Sequence, residues 1–484
     1  MKYALHLFLS IFAISVFAQA PPTPYGPVPE KRQLAWHDTE MYGLVHFTPT
    51  TFENKEWGYG DADPKIFNPS NFDAEQIIKA AKAGGLKGIV LVAKHHDGFA
   101  LWPTKTTEYN ITKSPFRKGQ GDLVKEMELA ARKHGLKFGV YCSPWDRNSS
   151  TYGTAKYLPI YQAQLKELYS NYGDLFMSWH DGANGGDGFY GGAKEKRSID
   201  NTTYYDWKNT WQITREMQPM ASIFSDVGLD VRWVGNEHGY AADTSWATFT
   251  PMPPKGQNVA VPGQSNYPDS PKGMREGKFW MPAECDVPLR KGWFYHANEK
   301  PKTPEQLFDL YLKSVGRGAG LDLGLAPDTR GVLCDDDVLT LRSFGEMIKR
   351  TFATNFAAKA TISATNSRGE KFTTKFLTDR NKNTYWATAD FTHKATLKLE
   401  FKTPISFDII SLQEYIPLGQ RIDAYSIEFL DEHMKWQVIA SGASVGSKRL
   451  IKTSRLITTN SVRVNLSAPT CITLCEIGLF RTAE

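Results

Sequence analysis

"FDAEQIIKAAKAGGLKGIVLVAKHHDG", residues 72–98, decides the fold. Asp73 is a good helix start and Gly84 a good stop, and the residues between them are amphipathic at helical spacing. The apolar run that follows, "KGIVLVAKHH", reads as a strand, and it ends on His95, His96 and Asp97. One helix feeding one strand with polar residues at its tip is a βα unit. The same alternation continues on both sides. "YGLVHF", "LKFGVYCS", "DLFMSWHDG", "ASIFSD" and "GLDLGLAP" are strand-like, and helix-like segments fill 122–134, 155–172, 205–217 and 304–317. This many strand–helix pairs between about 36 and 350 predict an α/β fold, a (β/α)8-like (TIM) barrel. The alternative is a doubly wound sheet. No Gly-x-Gly-x-x-Gly follows any of these strands at a helix start, which argues against its nucleotide-binding version.

Beyond about residue 355 helical spacing gives way to alternating runs: "ATLKLEF", "DIISLQEY", "AYSIEFL", "KWQVIAS", "SVRVNL" and "TLCEIGLF". Turn residues separate them at short intervals, the pattern of an all-β sandwich. The N-terminus, MKYALHLFLSIFAISVFAQA, has a lysine, an apolar run and small residues before Gln19, as a signal peptide does. The expected organisation is therefore a signal peptide at 1–18, a (β/α)8-like catalytic domain at 19–352 and a β-sandwich resembling a carbohydrate-binding module at 353–484. Export to the periplasm or the medium follows, with no membrane span, since no later stretch is long and apolar enough.

A composition of 41% hydrophobic and 23% charged residues is that of a folded chain. A net charge of +5 spread over 484 residues, without a dense basic block, predicts no nucleic-acid partner. Five cysteines are an odd number for an oxidising compartment, so buried thiols rather than a disulfide framework are expected. The oligomeric state is not legible.

The polar residues at the strand ends carry the chemistry. His46 ends the first strand, His95, His96 and Asp97 the second, Tyr141 and Ser143 the third, Asp181 the fourth and Asp226 a later one. In a barrel such positions converge on one face. His95, His96 and Asp97 could serve as zinc ligands, but adjacent residues of an extended strand face opposite ways and share a site only where the strand has broken. Histidines that hydrogen-bond to vicinal hydroxyls need no metal. No cofactor is expected in the barrel, and calcium is a candidate only in the sandwich. Tryptophans near loop residues, among them Trp57, Trp179 and Trp293, suit sugar rings stacking on aromatic faces.

"HFTPTTFENKEWGYG", "KHHDGFALW", "GVYCSPWD", "SWHDGANG" and "RWVGNEHGYA", in that order, resemble the α-L-fucosidases of glycoside hydrolase family 29. The last of these, with "WMPAECDVPLRKGWFYH" after it, resembles the subfamily that prefers α1,3- or α1,4-linked fucose in branched glycans. The tail resembles a discoidin-like sandwich. The resemblance implies a retaining exo-fucosidase acting on fucosylated oligosaccharides or glycoconjugates, with Asp181 as nucleophile. It further implies that His46, Glu56, Trp57, His95, His96, Tyr141, Trp179 and Trp293 bind substrate. The acid/base is assigned to Glu237, between Gly235 and Gly239, with Glu284 and Asp226 in reserve; His238 beside it departs from the family pattern. The alternatives are a broad-specificity fucosidase, a non-catalytic glycan-binding protein and a metal-dependent hydrolase built on His95, His96 and Asp97.

Overall fold

The computed structural model describes residues 20–226, 228–253 and 268–483. The expected signal peptide lies outside the described residues, as do positions 254–267 of the Pro/Gly/Ser-rich stretch that follows Glu237. No described helix is long and apolar enough to cross a membrane.

Eight strands, β1 (Met41–Val45), β2 (Gly88–Lys94), β3 (Lys137–Cys142), β4 (Met177–Trp179), β5 (Ser222–Ser225), β6 (Val231–Trp233), β7 (Ala283–Pro288) and β8 (Gly320–Leu325), close in sequence order into a parallel barrel. The seam is β8 against β1, with Met41 opposite Leu321 and Val45 opposite Leu325. Around it run α1 (Lys31–Thr39), α2 (Ala74–Ala83), α3 (Leu123–Lys133), α4 (Tyr157–Asn171), α5 (Trp207–Met217), α6 (Pro304–Lys313) and α7 (Asp335–Thr351). The helix starts read from sequence are capped as expected: the Asp73 carboxylate accepts from the Gln76 N–H at 3.0 Å and Asp122 from the Lys125 N–H at 2.9 Å.

Period-2 alternation sorts the strand residues. Tyr42, Leu44, Val90, Val92, Tyr141, Met177, Trp179, Phe224 and Val231 fill the barrel interior with Trp36 of α1, while Val45, Ile89, Leu91, Leu321 and Leu323 pack against the helices. The barrel departs from the ideal in its second half. Five positions, 226–230, separate β5 from β6, and among the described residues no helix lies there or between β6 and β7. Neither β6 nor β7 was legible as a strand. "VRW" is too short to show a period, and in "AECDVP" the inward positions carry Glu284 and Asp286 where an apolar pattern is sought.

The C-terminal sandwich comprises β9 (Thr361–Ala364), β10 (Lys394–Gln413), β11 (Ala424–Leu430), β12 (Trp436–Gly442), β13 (Arg449–Ser467) and β14 (Glu476–Phe480). They pair antiparallel in the order β9-β10-β13-β11-β12, with β14 also on β10, beside a two-stranded sheet of residues 386–387 and 473–474. The runs "ATLKLEF" and "DIISLQEY" are one strand, β10. Its pairing with β13 shifts between Glu400 and Ile405, the interval that holds Pro404, which cannot donate to a ladder. Leu397, Leu399, Ile410, Leu412, Val462, Val464 and Leu466 form its core with Trp386. All five cysteines are free thiols, four of them buried.

Candidate active site

At the C-terminal ends of the barrel strands a cavity of about 330 Å³ opens. His46, Trp57, His95, His96, Tyr141, Trp179, Asp181, Asp226, Glu237 and Trp293 line it, together with Trp233 and Asp286.

The pairing of β2 with β3 shifts between Val92 and Lys94, and Lys94 turns outward to Asp146, the Tyr157 hydroxyl and Gln164 Oε1 at 3.3, 3.0 and 2.8 Å. The strand is broken there, so His95 and His96 both face the cavity, their ring centroids 4.1 Å apart. Asp97 does not join them. Its carboxylate accepts from the Thr48 and Thr50 hydroxyls, both at 3.2 Å, so these three residues do not converge as a ligand set. Burial pushes the imidazoles of His46 and His96 down to about 3, and His95, beside two other imidazoles, also falls well below its usual value. The rings are therefore neutral at working pH. For His96 the tautomer follows from its partner: the Ser143 hydroxyl donates to the Trp145 carbonyl (2.7 Å), so it accepts from Nδ1 (2.8 Å), leaving Nε2 as a bare acceptor toward the cavity. The Nδ1 atoms of His46 and His95 have no hydrogen-bond partner among the described residues.

Asp181 lies two residues beyond the end of β4. Its Oδ2 accepts from the Tyr141 hydroxyl at 2.7 Å and its Oδ1 from the Ala183 N–H at 2.7 Å, while His96 Nε2 stands 3.7 Å from Oδ2. Burial raises its pKa, and these two donors oppose the rise by favouring the carboxylate. The glycine after it is required by close approach: a Cβ on Gly182 would stand 1.9 Å from the Asp226 carboxyl. The glycine-rich chain then forms a two-stranded hairpin, residues 186–188 against 195–197. Phe189 N–H bonds the Tyr59 carbonyl at 3.1 Å, docking the hairpin on the loop that carries Trp57.

The aromatic wall is built in layers. Trp179 stacks between Tyr141 (4.9 Å) and Phe224 (4.0 Å), and Trp293 leans on His46 (5.2 Å). Trp57 meets His96 and Trp145 edge-on at the mouth and remains 50% exposed, which leaves an apolar face for a ligand. Glu237 is exposed at the rim, between Gly235 and Gly239, whose φ of +88° and +79° favours glycine. A Cβ on Gly239 would stand 2.6 Å from Val287, so the loop lies tight against β7. Partial burial raises the Glu237 pKa, a hydrogen bond from Trp293 opposes this, and the charges of Asp181 and Glu56 add to the rise. His238 turns aside to stack on Tyr240 (5.8 Å).

Two sequence-based assignments change. Glu56 is not in the cavity wall; its carboxylate accepts from the Trp293 and Phe294 N–H groups (2.8 and 3.3 Å) and contacts His296 Nε2 at 2.6 Å, clamping the loop that presents Trp293. Glu284, a reserve for the acid, is fully buried inside the barrel and outside the cavity wall. Trp233 is one of the tryptophans that the sequence offers for sugar stacking, and its indole N–H donates to Asp286 at 2.7 Å; Asp286 itself is not legible, because its strand is not. Spacing of two from Glu284 was the available signal for Asp286.

A family model described as alpha-L-fucosidase matches residues 25–351, most of the chain and all of the barrel. The chain belongs to the α-L-fucosidase family. Alpha-L-fucosidase 1 of Arabidopsis thaliana is 38% identical over 94% of this chain and 89% of its own length. Plasma alpha-L-fucosidase of Homo sapiens is 33% identical over 31% of this chain and 33% of its own. Among solved structures, a Ruminococcus gnavus fucosidase of glycoside hydrolase family 29 in complex with fucose superposes with a TM-score of 0.86 at 29% identity, covering 96% of this chain and 97% of that one. A family 29 member from a rumen bacterium gives 0.82 at 35% identity, covering 95% and 78%. The enzyme is thus a glycoside hydrolase, an α-L-fucosidase, with fucosylated glycans as its substrate class.

Proposed function

We propose that this fucosidase is a retaining exo-enzyme that releases α1,3- and α1,4-linked L-fucose from branched, Lewis-type glycans by double displacement. The observation that carries the mechanism is that Asp181 and Glu237 line one cavity, the first held by two donors and the second raised in pKa at the rim. Asp181 attacks the anomeric carbon while Glu237 protonates the departing oxygen; Glu237 then takes a proton from the water that hydrolyses the fucosyl-enzyme. His46, His95 and His96 bind ring hydroxyls as neutral donors and acceptors, and Trp57, Trp179 and Trp293 supply apolar wall for the ring and its methyl group.

Azide tests the two roles. Asp181→Ala should yield β-fucosyl azide from an activated aryl fucoside, by attack in the vacated position. Glu237→Ala should yield α-fucosyl azide through the intact covalent route, while leaving oligosaccharides nearly uncleaved. Oligosaccharide turnover close to the parent rate in Glu237→Ala would move the acid to another residue. The linkage reading rests on the subfamily motifs around Glu237 and 280–296. It predicts much faster cleavage of α1,3 and α1,4 than of α1,2 and α1,6 substrates; equal rates on all four would favour a broad-specificity enzyme.

We also propose export, on the apolar leader at 1–18, and calcium in the sandwich. Glu476 Oε1 is buried without a hydrogen-bond partner, and burial together with Asp379 pushes the Glu476 carboxyl up to about 7. A hard cation would relieve both. Among the described residues no three His, Cys, Asp or Glu side chains converge on a metal, so backbone carbonyl and hydroxyl oxygens would complete the set. Calcium should raise the melting temperature without changing turnover, and Glu476→Gln should abolish that response.

A further inference from the structure

We propose that Glu284 is a positioning residue for the nucleophile, acting through Trp179 and Tyr141; this rests on Asp181 being that nucleophile. Glu284 is inaccessible to solvent, one layer beneath the cavity floor, and cannot touch substrate. Both of its oxygens are nonetheless engaged. Oε1 accepts from the Trp179 indole N–H at 2.7 Å, and Oε2 accepts from the Tyr42 hydroxyl, which itself receives the Trp36 indole N–H at 3.2 Å. The Trp179 ring, so fixed, lies nearly parallel to Tyr141, 4.9 Å away with 19° between planes. The Tyr141 hydroxyl then donates to Asp181 Oδ2 at 2.7 Å. Trp179 is also two residues before Asp181 on the same chain, so a rotated indole disturbs the carboxylate by both routes.

A buried carboxyl is a costly way to hold a tryptophan, since an apolar neighbour would pack as well. What it adds is direction: an N–H bond fixes the ring about its own axis, which dispersion contacts do not. On the same inward face, Asp286 and Asp322 flank Glu284, Asp322 with neither oxygen bonded, and among the described residues no lysine or arginine pairs with any of the three. Such a group is retained in an apolar interior only at a cost to stability, which fits a role in the site above it better than a role in folding.

The test uses the full chain, an activated aryl α-L-fucoside, and calorimetry of fucose binding. Asp181 faces Tyr141 and His96 directly, with Glu237, Asp226 and Asp286 around the cavity and His46 and His95 in its wall. Glu284→Leu should lower kcat roughly 10- to 100-fold with KM changed less than about 3-fold, the signature of misplacement in the reacting complex. The acid limb of kcat/KM should move to higher pH, because a slackened Tyr141 bond favours the carboxylate less. Glu284→Gln should restore most of the rate and the parent limb, because its amide oxygen still accepts from the Trp179 indole N–H, the bond that fixes the ring. If Glu284→Leu fails to fold, Trp179→Phe, which keeps a stacking ring and loses the indole N–H, must show the same upward limb. A limb that stays in place or moves down in the folded variant overturns the proposal. Failure of the nucleophile assignment is seen separately, as undiminished turnover in Asp181→Ala.

Discussion

Tyr141 contributes one hydroxyl to the site, and with the Ala183 N–H it favours the charged form of Asp181. Its bond to Oδ2 opposes the rise in pKa that burial causes. Tyr141→Phe should therefore raise the acid limb of kcat/KM and lower kcat roughly 10- to 100-fold, while fucose affinity changes little. The three histidines titrate far below the working range, so no imidazole should appear in that limb; 15N chemical shifts should report His46, His95 and His96 as neutral from pH 5 to 8, a range set by the usual histidine pKa of about 6.5. Asp322 gives a test of opposite sign. Its folded pKa is raised well above the usual value by burial and by Asp286, so it destabilises the fold increasingly as pH rises from its unfolded pKa toward its folded one. Asp322→Asn should melt higher than the parent above about pH 4, with the gap closing below that pH. A melting temperature lower than the parent at pH 7 would show that the carboxyl serves the core. At this scale the sequence was legible wherever a polar residue ended an apolar run, as at His46, His95 and Asp181. It singled out Glu56 and Glu284 without showing where they sit, and it did not show Asp286. A carboxylate that clamps a distant loop or faces a barrel interior has the same local context as one on the surface.

At the scale of elements, periodicity placed the first four βα units, and end signals sharpened the first two, whose helices start at Asp73 and Asp122 and stop at Gly84 and just before Gly135. They failed at β6 and β7, where the barrel holds strands together by other means. Between β5 and β6 the missing helix is replaced by one buried aspartate. Asp230 Oδ2 accepts from the Ile223 N–H at 2.8 Å, and its two oxygens bind Arg32 of α1 (2.8 Å) and Arg215 of α5. The carboxylate thus ties the connection to α1 and α5. Replacing it takes the shared buried anion from Arg32, which keeps Glu30, and from Arg215, which keeps the Ala221 carbonyl, and leaves the Ile223 N–H without its acceptor. Asp230→Ala should cost about 3–5 kcal/mol, read as a lower denaturation midpoint, with kcat of the remaining folded enzyme nearly unchanged. A loss below about 1 kcal/mol would mean that the turn is held by its backbone alone. Sequence could not have pointed to this residue. "VGLDVRW" reads as an ordinary turn, and the partners of Asp230 are 198 and 15 residues away.

Across the whole molecule, the sandwich reaches the active site through the segment that leaves β6. It carries Glu237 at its start, and described residues on either side of 254–267 bind the sandwich. Asp243 Oδ1 accepts from Arg449 at 2.9 Å, the Ala247 N–H bonds Gln420 Oε1 at 2.8 Å, the Ser245 carbonyl receives the Ser444 hydroxyl, and Arg275 pairs with Asp423. The side chains doing this come from β13 and from the loops before β11 and after β12, so the sandwich fixes both arms of the connection on whose first turn Glu237, the proposed acid/base, stands. Loosening that grip should therefore tell most where the acid is most needed. Aryl fucosides with good leaving groups need little protonation, whereas sugar leaving groups need it fully. Arg449→Ala combined with Gln420→Ala should lower kcat/KM on a branched α1,3-fucosylated oligosaccharide at least about 5-fold more than on an activated aryl fucoside, with stability reduced by only about 1–3 kcal/mol. Equal losses on both substrates would mean that the sandwich steadies the barrel without reaching Glu237.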